Sequence, residues 1–532
     1  MERTLVAVSA NNARGFCARG WMFLALWQGI LEAAPAGAVA IFAVCQIVLW
    51  TALPLLLSKS MPLDVVSDML PWGHEWQWGY YKHPPLPAWL AEAAFSAAGG
   101  TGVYLLSQVF IALTLLVVFR LGCRMLAPKY AAAGTLLVAG IYYFSVPTPE
   151  FNNNVAQMPF WAGAAYALYC ALNDGRLRYW IALGLALGLG LLCKYSTVML
   201  VAAMLAYALS ASPQRQAWKT AGPYATALVA ALVFLPNFIW LIEHRFIALD
   251  YAQSRAGIVG GLLGSLAPSA NFVLAQAIDH APALAIAAAS GVLGRGFGKN
   301  LTLKQREDFR FLLFIGIGPA VFSIAASLFF GLGLRTMWGA PMWNLSGLIL
   351  MLGAASYERQ IALKRLHKFA GLAFLCGLCA YALAVKVVPD LRGQPSRLSW
   401  PASRIARTFA KSYAQRTGDR IRIVGGDEWL AGLIAMRLPV QPSVFSQNSF
   451  AAAPWITPER LAREGMLVVW RNSEKKNASA PRIAGLEYAG SYRFVWPRGV
   501  RALPLIVEWG IVPPRGAQHP STQGTEAPWP RR

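Results

Sequence analysis

Acidic, basic and aromatic side chains are concentrated between residues 62 and 89, a stretch too rich in functional groups to be an ordinary connector. Its candidate catalytic and binding residues are Asp64, Asp68, Glu75, Lys82 and His83. The aromatic residues among them are Trp72, Trp76, Trp78, Tyr80, Tyr81 and Trp89. An acid can serve as a general base and a cation can hold a phosphate, so the set suits a sugar carried on a lipid phosphate. By residue type alone, an aromatic belt with snorkelling charges is an equally good interpretation.

The elements that position this stretch are apolar segments of membrane-spanning length. Of the 532 residues, 56% are hydrophobic and only 13% are charged, about half the charged share of a soluble domain. Apolar runs recur from residue 36 to residue 388, which indicates a polytopic α-helical membrane protein. This pattern excludes an outer-membrane barrel and an intrinsically disordered chain. The net charge of +23 lies in short loops and in a C-terminal tail, so we do not expect a nucleic-acid partner.

Eleven spans are predicted, and they set the expected topology. They are 36–57, 103–120, 131–148, 155–172, 180–193, 196–210, 220–242, 269–290, 311–333, 341–356 and 369–388. With the N-terminus inside, the inner loops hold 19 Lys and Arg residues and the outer loops hold 6, as the positive-inside rule favours. We divide 180–210 at Lys194, because a lysine near mid-membrane costs roughly 2.5–3.5 kcal/mol or more. An odd span count is expected to put the tail outside, which in a bacterium is the periplasmic side of the inner membrane.

The two ends of the chain carry separate predictions. Residues 1–35 are expected to form a cytoplasmic and interfacial segment, with a helix over 16–34, although Ala34-Pro-Ala36 also fits a signal-peptide cleavage site. Residues 389–512 alternate helix and strand signals, which predicts a periplasmic α/β domain. Strands are expected at 420–424, 440–445 and 466–471, with helices starting after Asp427 and Thr457. Residues 513–532 are rich in Pro, Gly and charge and are expected to be a loose tail.

A motif within the first outer loop (58–90) carries a family resemblance. An early Asp followed by Trp-Gly-Tyr-Tyr-Lys-His-Pro-Pro-Leu-Pro-Ala-Trp-Leu at 78–90 resembles the GT-C membrane glycosyltransferases. It looks most like the family-39-like branch of protein mannosyltransferases, lipid A aminoarabinose transferases and lipopolysaccharide galacturonosyltransferases, the last group above all. Weaker matches follow over nearly the whole chain, at 149–161, 180–195, 236–246, Asp427 and 453–470. The resemblance implies a GT-C fold of about 11 spans with a periplasmic α/β domain.

The resemblance also implies the catalytic acid. The first-loop Asp of the family is the catalytic base, which makes Asp64 the first candidate and Asp68 the second. Many members have a second acid directly after the first. This chain has Val65 there, so Glu75 is the candidate replacement.

Binding roles follow in the same way. The family's cation after the Tyr pair contacts the donor phosphate, which implies Lys82 with His83 beside it. Further cations expected at the outer face are Lys194, Arg245 and Arg335, and the expected substrate-binding residues are Trp78, Tyr80, Tyr81, Glu150 and Asn154. Many members have an Asp in the second outer loop, where this chain offers Glu150 and Asn152–Asn154.

The expected reaction is an inverting sugar transfer from a polyprenyl-phosphate donor to a periplasm-facing acceptor, such as lipid A, lipopolysaccharide or another envelope glycan. The Asp carboxylate takes the proton of the acceptor hydroxyl, and the cations stabilise the departing phosphate. The sequence has no Asp-x-Asp motif and no His/Cys cluster at ligand spacing, so neither a metal nor a cofactor is expected. A glycolipid transporter or flippase is the alternative function, and a non-catalytic periplasmic anchor is a second one.

Overall fold

The computed structural model describes residues 34–210, 212–257, 261–471, 481–496 and 503–514. The expected N-terminal helix over 16–34 and nearly all of the expected loose tail lie outside the described residues. By internal contacts the chain divides into two units, Met1–Trp400 with Pro497–Ala502, and Pro401–Trp496 with Leu503–Arg532. The α/β region thus begins at Pro401, after the expected boundary at 389.

The first unit is helical. Its helices are α1 (Pro35–Leu57), α2 (Leu86–Gly122), α3 (Pro128–Leu137), α4 (Asn153–Asp174), α5 (Leu177–Cys193), α6 (Thr197–Leu209), α7 (Gly222–Glu243), α8 (Ile247–Ala256), α9 (Gly261–Ala289), α10 (Leu303–Gly316), α11 (Gly318–Phe330), α12 (Ser346–Gly353) and α13 (Leu363–Lys386). Shorter helical pieces are Val65–Met69, which is a π-turn, and Leu70–Gly73, Ser212–Gln216 and Val388–Leu391. Single 3₁₀ turns fill several of the connections.

Local sequence signals explain several helix ends. Asn152 begins α4 by accepting hydrogen bonds from the backbone N–H groups of Asn154 and Val155, at 3.0 and 3.3 Å. The same helix ends at Gly175, whose φ of +66° is a left-handed conformation that favours glycine. Thr302 and Gln305 form a capping box at the start of α10. The polar residues of these loops therefore fix where the apolar helices start and stop.

In the part of the chain that the structure describes, fewer helices than the expected eleven spans are both long and apolar enough to be candidate spans, so the count of eleven stays a prediction. Within the described residues, five helices are long and apolar enough to cross a membrane, and the pair α10 and α11, bent by 42°, would make six. The five are α1, α2, α7, the 263–289 part of α9, and α13. The helices α5 and α6 are apolar but shorter.

Two of the expected spans are not continuous α-helices. In 131–148 the α-helix stops at Leu137 and continues as 3₁₀ turns, with Pro147 and Pro149 following. In 341–356 the chain runs from a 3₁₀ segment that contains Pro341 into the short helix α12. A proline removes a backbone donor and clashes with the preceding turn, so hydropathy alone overestimates the helix length here.

The helices α5 and α7 approach each other closely at a pair of glycines. A Cβ atom on Gly184 would lie 2.7 Å from the carbonyl oxygen of Thr226, and one on Gly188 would lie 2.7 Å from the Cβ of Val233. Trp180, at the start of this face, accepts a hydrogen bond at its carbonyl from the Thr226 hydroxyl at 2.8 Å. The Gly-rich sequence of α5 is therefore a packing surface that holds α5 against α7.

The second unit is a layered α/β fold. Its strands are β1 (Ile423–Gly426), β2 (Ser443–Val444), β3 (Met466–Arg471), β4 (Glu487–Phe494) and β5 (Leu505–Val512), in the sheet order β2-β1-β3-β5-β4. The strand β1 pairs in parallel with β2 and β3, and β5 pairs antiparallel with β3 and β4. Its helices are α14 (Ala402–Thr417), α15 (Glu428–Ala435) and α16 (Pro458–Glu464), and Asp427 and Thr457 cap α15 and α16 as the sequence predicts.

Candidate active site

Asp64 lies in the first outer loop, just before the π-turn Val65–Met69, and it contacts the chain that leads into α4. Its backbone N–H donates to Oε1 of Glu150 at 2.8 Å, and its Oδ2 accepts from the side-chain amide of Asn152 at 2.9 Å. Since Asn152 also caps α4, the start of that helix fixes the orientation of the Asp64 carboxylate. The second carboxylate at Asp64 is thus Glu150, 86 positions away in the chain.

The pKa of Glu150 is raised to about 8, first by burial and then by the negative charge of Asp64, with a smaller effect from Asp68. The hydrogen bond from the Asp64 backbone and the charge of Arg397 act in the opposite direction. Glu150 is therefore largely protonated at neutral pH and is a poor proton acceptor. This leaves Asp64 as the carboxylate that can accept a proton.

Lys194 lies at the break between α5 and α6, and α4 holds that break in place. Its Nζ donates to Oδ1 of Asn154 at 2.7 Å, and its carbonyl oxygen accepts from the side chain of Gln157 at 3.1 Å. The Nζ also lies 5.7 Å from the ring centroid of Trp338. Burial lowers the pKa of Lys194 to about 8, and the charge of Asp64 partly offsets this. The cation is thus held beside the site and is poorly solvated.

Lys82 has a different environment, in which a carboxylate already balances its charge. Its Nζ lies 2.9 Å from Oδ1 of Asp68, and only 12% of each side chain is exposed. The same Nζ lies over the rings of Tyr81, Trp72 and Tyr251, at 5.1, 5.6 and 5.7 Å from their centroids. Asp68 therefore serves as the partner of Lys82, which makes it a weaker candidate than Asp64 for the base.

His83 lies close to both lysines. Burial and the positive charges of Lys194 and Lys82 hold the pKa of the imidazole well below its usual range, so the ring is neutral at pH 7. The carbonyl of His83 accepts from the backbone N–H of Tyr80 at 3.0 Å. The structure therefore brings His83, Lys82 and Lys194 together, as the sequence predicts, but with His83 uncharged.

The aromatic residues of the loop divide into a buried set and an exposed set. Tyr80 is completely buried, stacks on Trp72 with ring centroids 5.1 Å apart, and donates its hydroxyl to the Trp72 carbonyl at 2.6 Å. Tyr81 is also buried, at 5% exposure. Trp76 and Trp78 are about half exposed and both pack on Trp89. Of the three aromatic residues predicted to bind substrate, Trp78 has the open face.

The end of α7 fixes the backbone of the 78–90 motif. The side-chain amide of Asn237 donates to the Trp78 carbonyl at 2.6 Å, and Asn237 accepts from the Tyr195 hydroxyl at 3.2 Å. A Cβ atom on Gly79 would lie 2.3 Å from the ring of Trp240, so only glycine fits there without a shift. The residues 78–79, 195 and 237–240, which the sequence places in separate motifs, therefore form one packed unit.

The remaining predicted residues are Glu75, Arg245 and Arg335. Glu75 follows the short helix Leu70–Gly73, where its carbonyl accepts from Gln77 at 3.1 Å. Arg245 is exposed and has a φ of +51° just before α8, the helix that carries Tyr251. Arg335 is exposed and donates to the carbonyl of Arg255 at 3.1 Å. Within the described residues, no group of three or more His, Cys, Asp or Glu side chains is arranged to hold a metal ion.

Comparisons with known proteins show which family, relatives and solved structures the chain resembles. Residues 82–240 match the family described as dolichyl-phosphate-mannose-protein mannosyltransferase. Two curated relatives come from Rhizobium johnstonii. The lipopolysaccharide core galacturonosyltransferase RgtB is 26% identical, and the match covers 80% of this chain and 85% of RgtB. The lipid A galacturonosyltransferase RgtD is 27% identical, and the match covers 35% of this chain and 39% of RgtD. The crystal structure of ArnT from Cupriavidus metallidurans bound to undecaprenyl phosphate matches with a TM-score of 0.60 and 13% identity, covering 90% of this chain and 98% of that one.

The chain has the GT-C fold. The resemblance to GT-C membrane glycosyltransferases that the sequence predicts is therefore confirmed. The matched segment 82–240 begins at Lys82 and ends at Trp240, and it contains Glu150 and Lys194. The matched segment thus contains Lys82, Lys194 and Glu150, while Asp64 lies in the chain that precedes it.

Some site residues were not predicted from the sequence. Asn152 was named only as part of an Asn run, although its side chain both caps α4 and holds Asp64. Tyr251 and Trp338, whose rings pack on the two lysines, have no motif that would single them out. Arg397, whose charge acts on Glu150, was counted with the C-terminal tail.

Proposed function

We propose that this protein is an inverting glycosyltransferase that moves a sugar from a polyprenyl-phosphate donor to lipopolysaccharide or lipid A. The observation that carries the proposal is that Glu150 contacts Asp64 and that Lys194 lies within electrostatic range of Asp64, while both Lys82 and Lys194 act on His83. One carboxylate and two cations are the groups that an attacking hydroxyl and a departing phosphate require.

The proposed mechanism is a single displacement. The Asp64 carboxylate takes the proton of the acceptor hydroxyl, whose oxygen attacks the anomeric carbon of the donor sugar. The bond between that carbon and the phosphate oxygen breaks from the opposite side, and its electron pair leaves with the polyprenyl phosphate. Asn152 donates to Oδ2 of Asp64 and so holds the carboxylate in a fixed orientation for this proton transfer.

The two lysines have different parts in this mechanism. Lys194 has a neutral hydrogen-bond partner in Asn154, so its full charge is directed at the donor phosphate. Lys82 shares its charge with Asp68 and adds a second contact when the phosphate binds. His83, neutral between them, serves as a hydrogen-bonding group. Such contacts act on the leaving phosphate, where negative charge develops in the transition state.

The names of the relatives support the substrate class. RgtB and RgtD are named as galacturonosyltransferases of the lipopolysaccharide core and of lipid A, so we take the transferred sugar to be a uronic acid. The ArnT structure is described as bound to undecaprenyl phosphate, which supports a polyprenyl-phosphate donor. Glycolipid transport, the alternative from the sequence, gains no support from these relatives.

The proposed location is a bacterial inner membrane, with the first outer loop and residues 389–532 on the periplasmic side. The unequal distribution of Lys and Arg among the loops supports this orientation. A reporter fused near residue 400 should be active only if it functions in the periplasm. A reporter active in the cytoplasm at this position would contradict the orientation.

A deletion strain provides the direct test of the function. We expect its lipid A or core oligosaccharide to lack the mass of one uronic acid that the wild type carries, as measured by intact mass spectrometry. The wild-type gene should restore the mass, while the Asp64→Asn variant, expressed at the same level, should not. Identical masses in the deletion strain and the wild type would contradict the proposed function.

A further inference from the structure

A cavity of about 320 Å³ lies on one side of the Asp64–Glu150 pair, within the first unit. Its lining includes Pro62 and Leu63, which directly precede Asp64, together with Glu150, Tyr381 and Arg397. A molecule in this cavity contacts Glu150, which accepts a hydrogen bond from the backbone of the proposed base Asp64 at 2.8 Å. The volume is at the lower end of the range for small-molecule sites and is adequate for one sugar ring.

The cation of this cavity is distinct from those assigned to the donor phosphate. Neither Lys82 nor Lys194 lines the cavity, whereas Arg397 does. Arg397 is exposed, and its charge acts on Glu150. A guanidinium presents a planar set of N–H donors that matches a carboxylate in a bidentate contact. The cavity therefore combines an anion-binding group with the polar side chains of Glu150 and Tyr381, which can bind sugar hydroxyl groups.

The backbone that carries Arg397 is fixed to the first outer loop. Ser396 caps the 3₁₀ turn Arg397–Ser399 by accepting from the backbone N–H of Leu398 at 3.2 Å. The carbonyl of Leu398 accepts from the backbone N–H groups of Lys59 and Ser60, at 2.7 and 3.0 Å. Arg397 is thus anchored to the same loop that carries Asp64, as a residue that selects a substrate must be.

We propose that this cavity binds a sugar ring bearing a carboxylate, and that Arg397 makes a bidentate contact with that carboxylate. The inference rests on the proposed function and adds a specificity-determining residue to it. The sugar is either the uronic acid of the donor or a carboxylated sugar of the acceptor, since both must approach Asp64. Arg397 then explains how a GT-C fold selects an acidic sugar over a neutral one.

The test compares Arg397→Gln with a matched control, Arg392→Gln, an exposed arginine that does not line the cavity. Purified protein in liposomes receives polyprenyl-phosphate galacturonate or the corresponding galactose donor, and lipopolysaccharide core that is either intact or carboxyl-reduced. We expect the wild type and Arg392→Gln to use the carboxylated substrate roughly 10- to 150-fold better in kcat/KM, as for one charge-assisted contact. Arg397→Gln should lose this preference, and Arg397→Lys should keep part of it.

The donor and acceptor series show which substrate carries the carboxylate that Arg397 binds. Loss of the preference in the donor series assigns the carboxylate to the donor sugar, and loss in the acceptor series assigns it to the acceptor. If Arg397→Gln lowers kcat/KM equally for carboxylated and neutral substrates, or leaves both preferences unchanged, Arg397 has no role in recognition and the inference is wrong. If the wild type transfers no sugar from any donor, the proposed function itself fails, and the inference falls with it.

Discussion

At the residue scale, the site depends on how charge is shared among buried groups. The pKa of Glu150, which contacts Asp64, is raised to about 8. The pKa of Lys194, which is affected by the charge of Asp64, is lowered to about 8. Asp68, by contrast, is bound to Lys82. The two candidate bases that the sequence could not separate therefore have different environments, and their variants should differ in kind.

Asp68→Asn should mainly impair the use of the donor. It removes the carboxylate that orients Lys82, so we expect the KM for the polyprenyl-phosphate donor to rise several-fold while kcat changes little. The measurement is the transfer rate against donor concentration in liposomes, with Asp419→Asn, an exposed residue of the second unit, as a control. A loss of kcat by two orders of magnitude or more, with the donor KM unchanged, would assign the base to Asp68.

Lys194 predicts a pH dependence of donor use. A lysine is charged below its pKa and neutral above it, and the pKa of Lys194 is lowered to about 8. The kcat/KM for the donor should therefore fall roughly ten- to twenty-fold as the pH rises from about 7 to about 9.5, because the phosphate loses its cation. Lys194→Arg, whose side chain stays charged, should not show this fall.

Glu150 titrates in the same pH range, so it provides the necessary control. Glu150→Gln keeps the side chain neutral at every pH, and we expect it to retain the fall in kcat/KM above pH 8. If Glu150→Gln abolishes the fall and Lys194→Arg retains it, the pH dependence belongs to Glu150 and the role given to Lys194 is wrong.

The sequence identified several residues of the site, but it did not show which of them contact one another. Asp64, Lys82 and Lys194 were identified from a motif and from a cation at a helix break. The contact of Glu150 with the backbone of Asp64 joins residues 86 positions apart, and no local pattern encodes such a contact. Glu75 was expected to replace the second acid because it is near in sequence, but the fold supplies Glu150 at that place instead.

At the scale of elements, α4 and α7 determine where the loop residues lie. The start of α4 holds Asp64 through Asn152 and the lysine break through Asn154 and Gln157. The end of α7 holds the 78–90 motif through Asn237 and Trp240. Hydropathy found both helices, but it could not show that 131–148 breaks at Leu137, since prolines and tertiary packing decide that point.

Gly79→Ala should destabilise the loop by overpacking. Its new Cβ would lie 2.3 Å from the Trp240 ring, which is buried and stacked on His244. We expect a loss of about 1–3 kcal/mol in the free energy of unfolding, measured as a lower thermal midpoint in detergent. Gly371→Ala, in a helix position with no atom within 4 Å of the new Cβ, is the matched control. Equal midpoints for the two variants would show that Gly79 does not pack on Trp240.

At the scale of the whole molecule, α4 connects two polar clusters. It covers the predicted span 155–172, although it is not among the five described helices that are long and apolar enough to be candidate spans. Its 22 residues extend about 33 Å at 1.5 Å per residue, close to the ~30 Å hydrocarbon core of a bilayer. Asn152 and Asn154 lie at its first end, and Tyr169, near its other end, donates to the buried Asp308 at 2.9 Å, which also binds Lys304. The two clusters should therefore face opposite sides of the membrane.

Cysteine labelling tests this arrangement. In a cysteine-free background, Trp76→Cys in the first outer loop and Arg176→Cys after α4 replace two exposed residues. We expect a membrane-impermeant maleimide to label Trp76→Cys in intact spheroplasts, and Arg176→Cys only after the membrane is permeabilised. Labelling of both before permeabilisation, or the reverse pattern, would contradict the proposed topology.

The central claim is that Asp64 is the base of a sugar transfer from a lipid phosphate. The measurement that tests it most directly is the single-turnover rate of uronic acid transfer from polyprenyl-phosphate galacturonate to lipopolysaccharide core, by wild type and Asp64→Asn in liposomes at saturating donor. We expect the variant to bind the donor normally and to react roughly 10²- to 10⁴-fold more slowly, the usual contribution of general base catalysis. Transfer by Asp64→Asn at the wild-type rate would contradict the account.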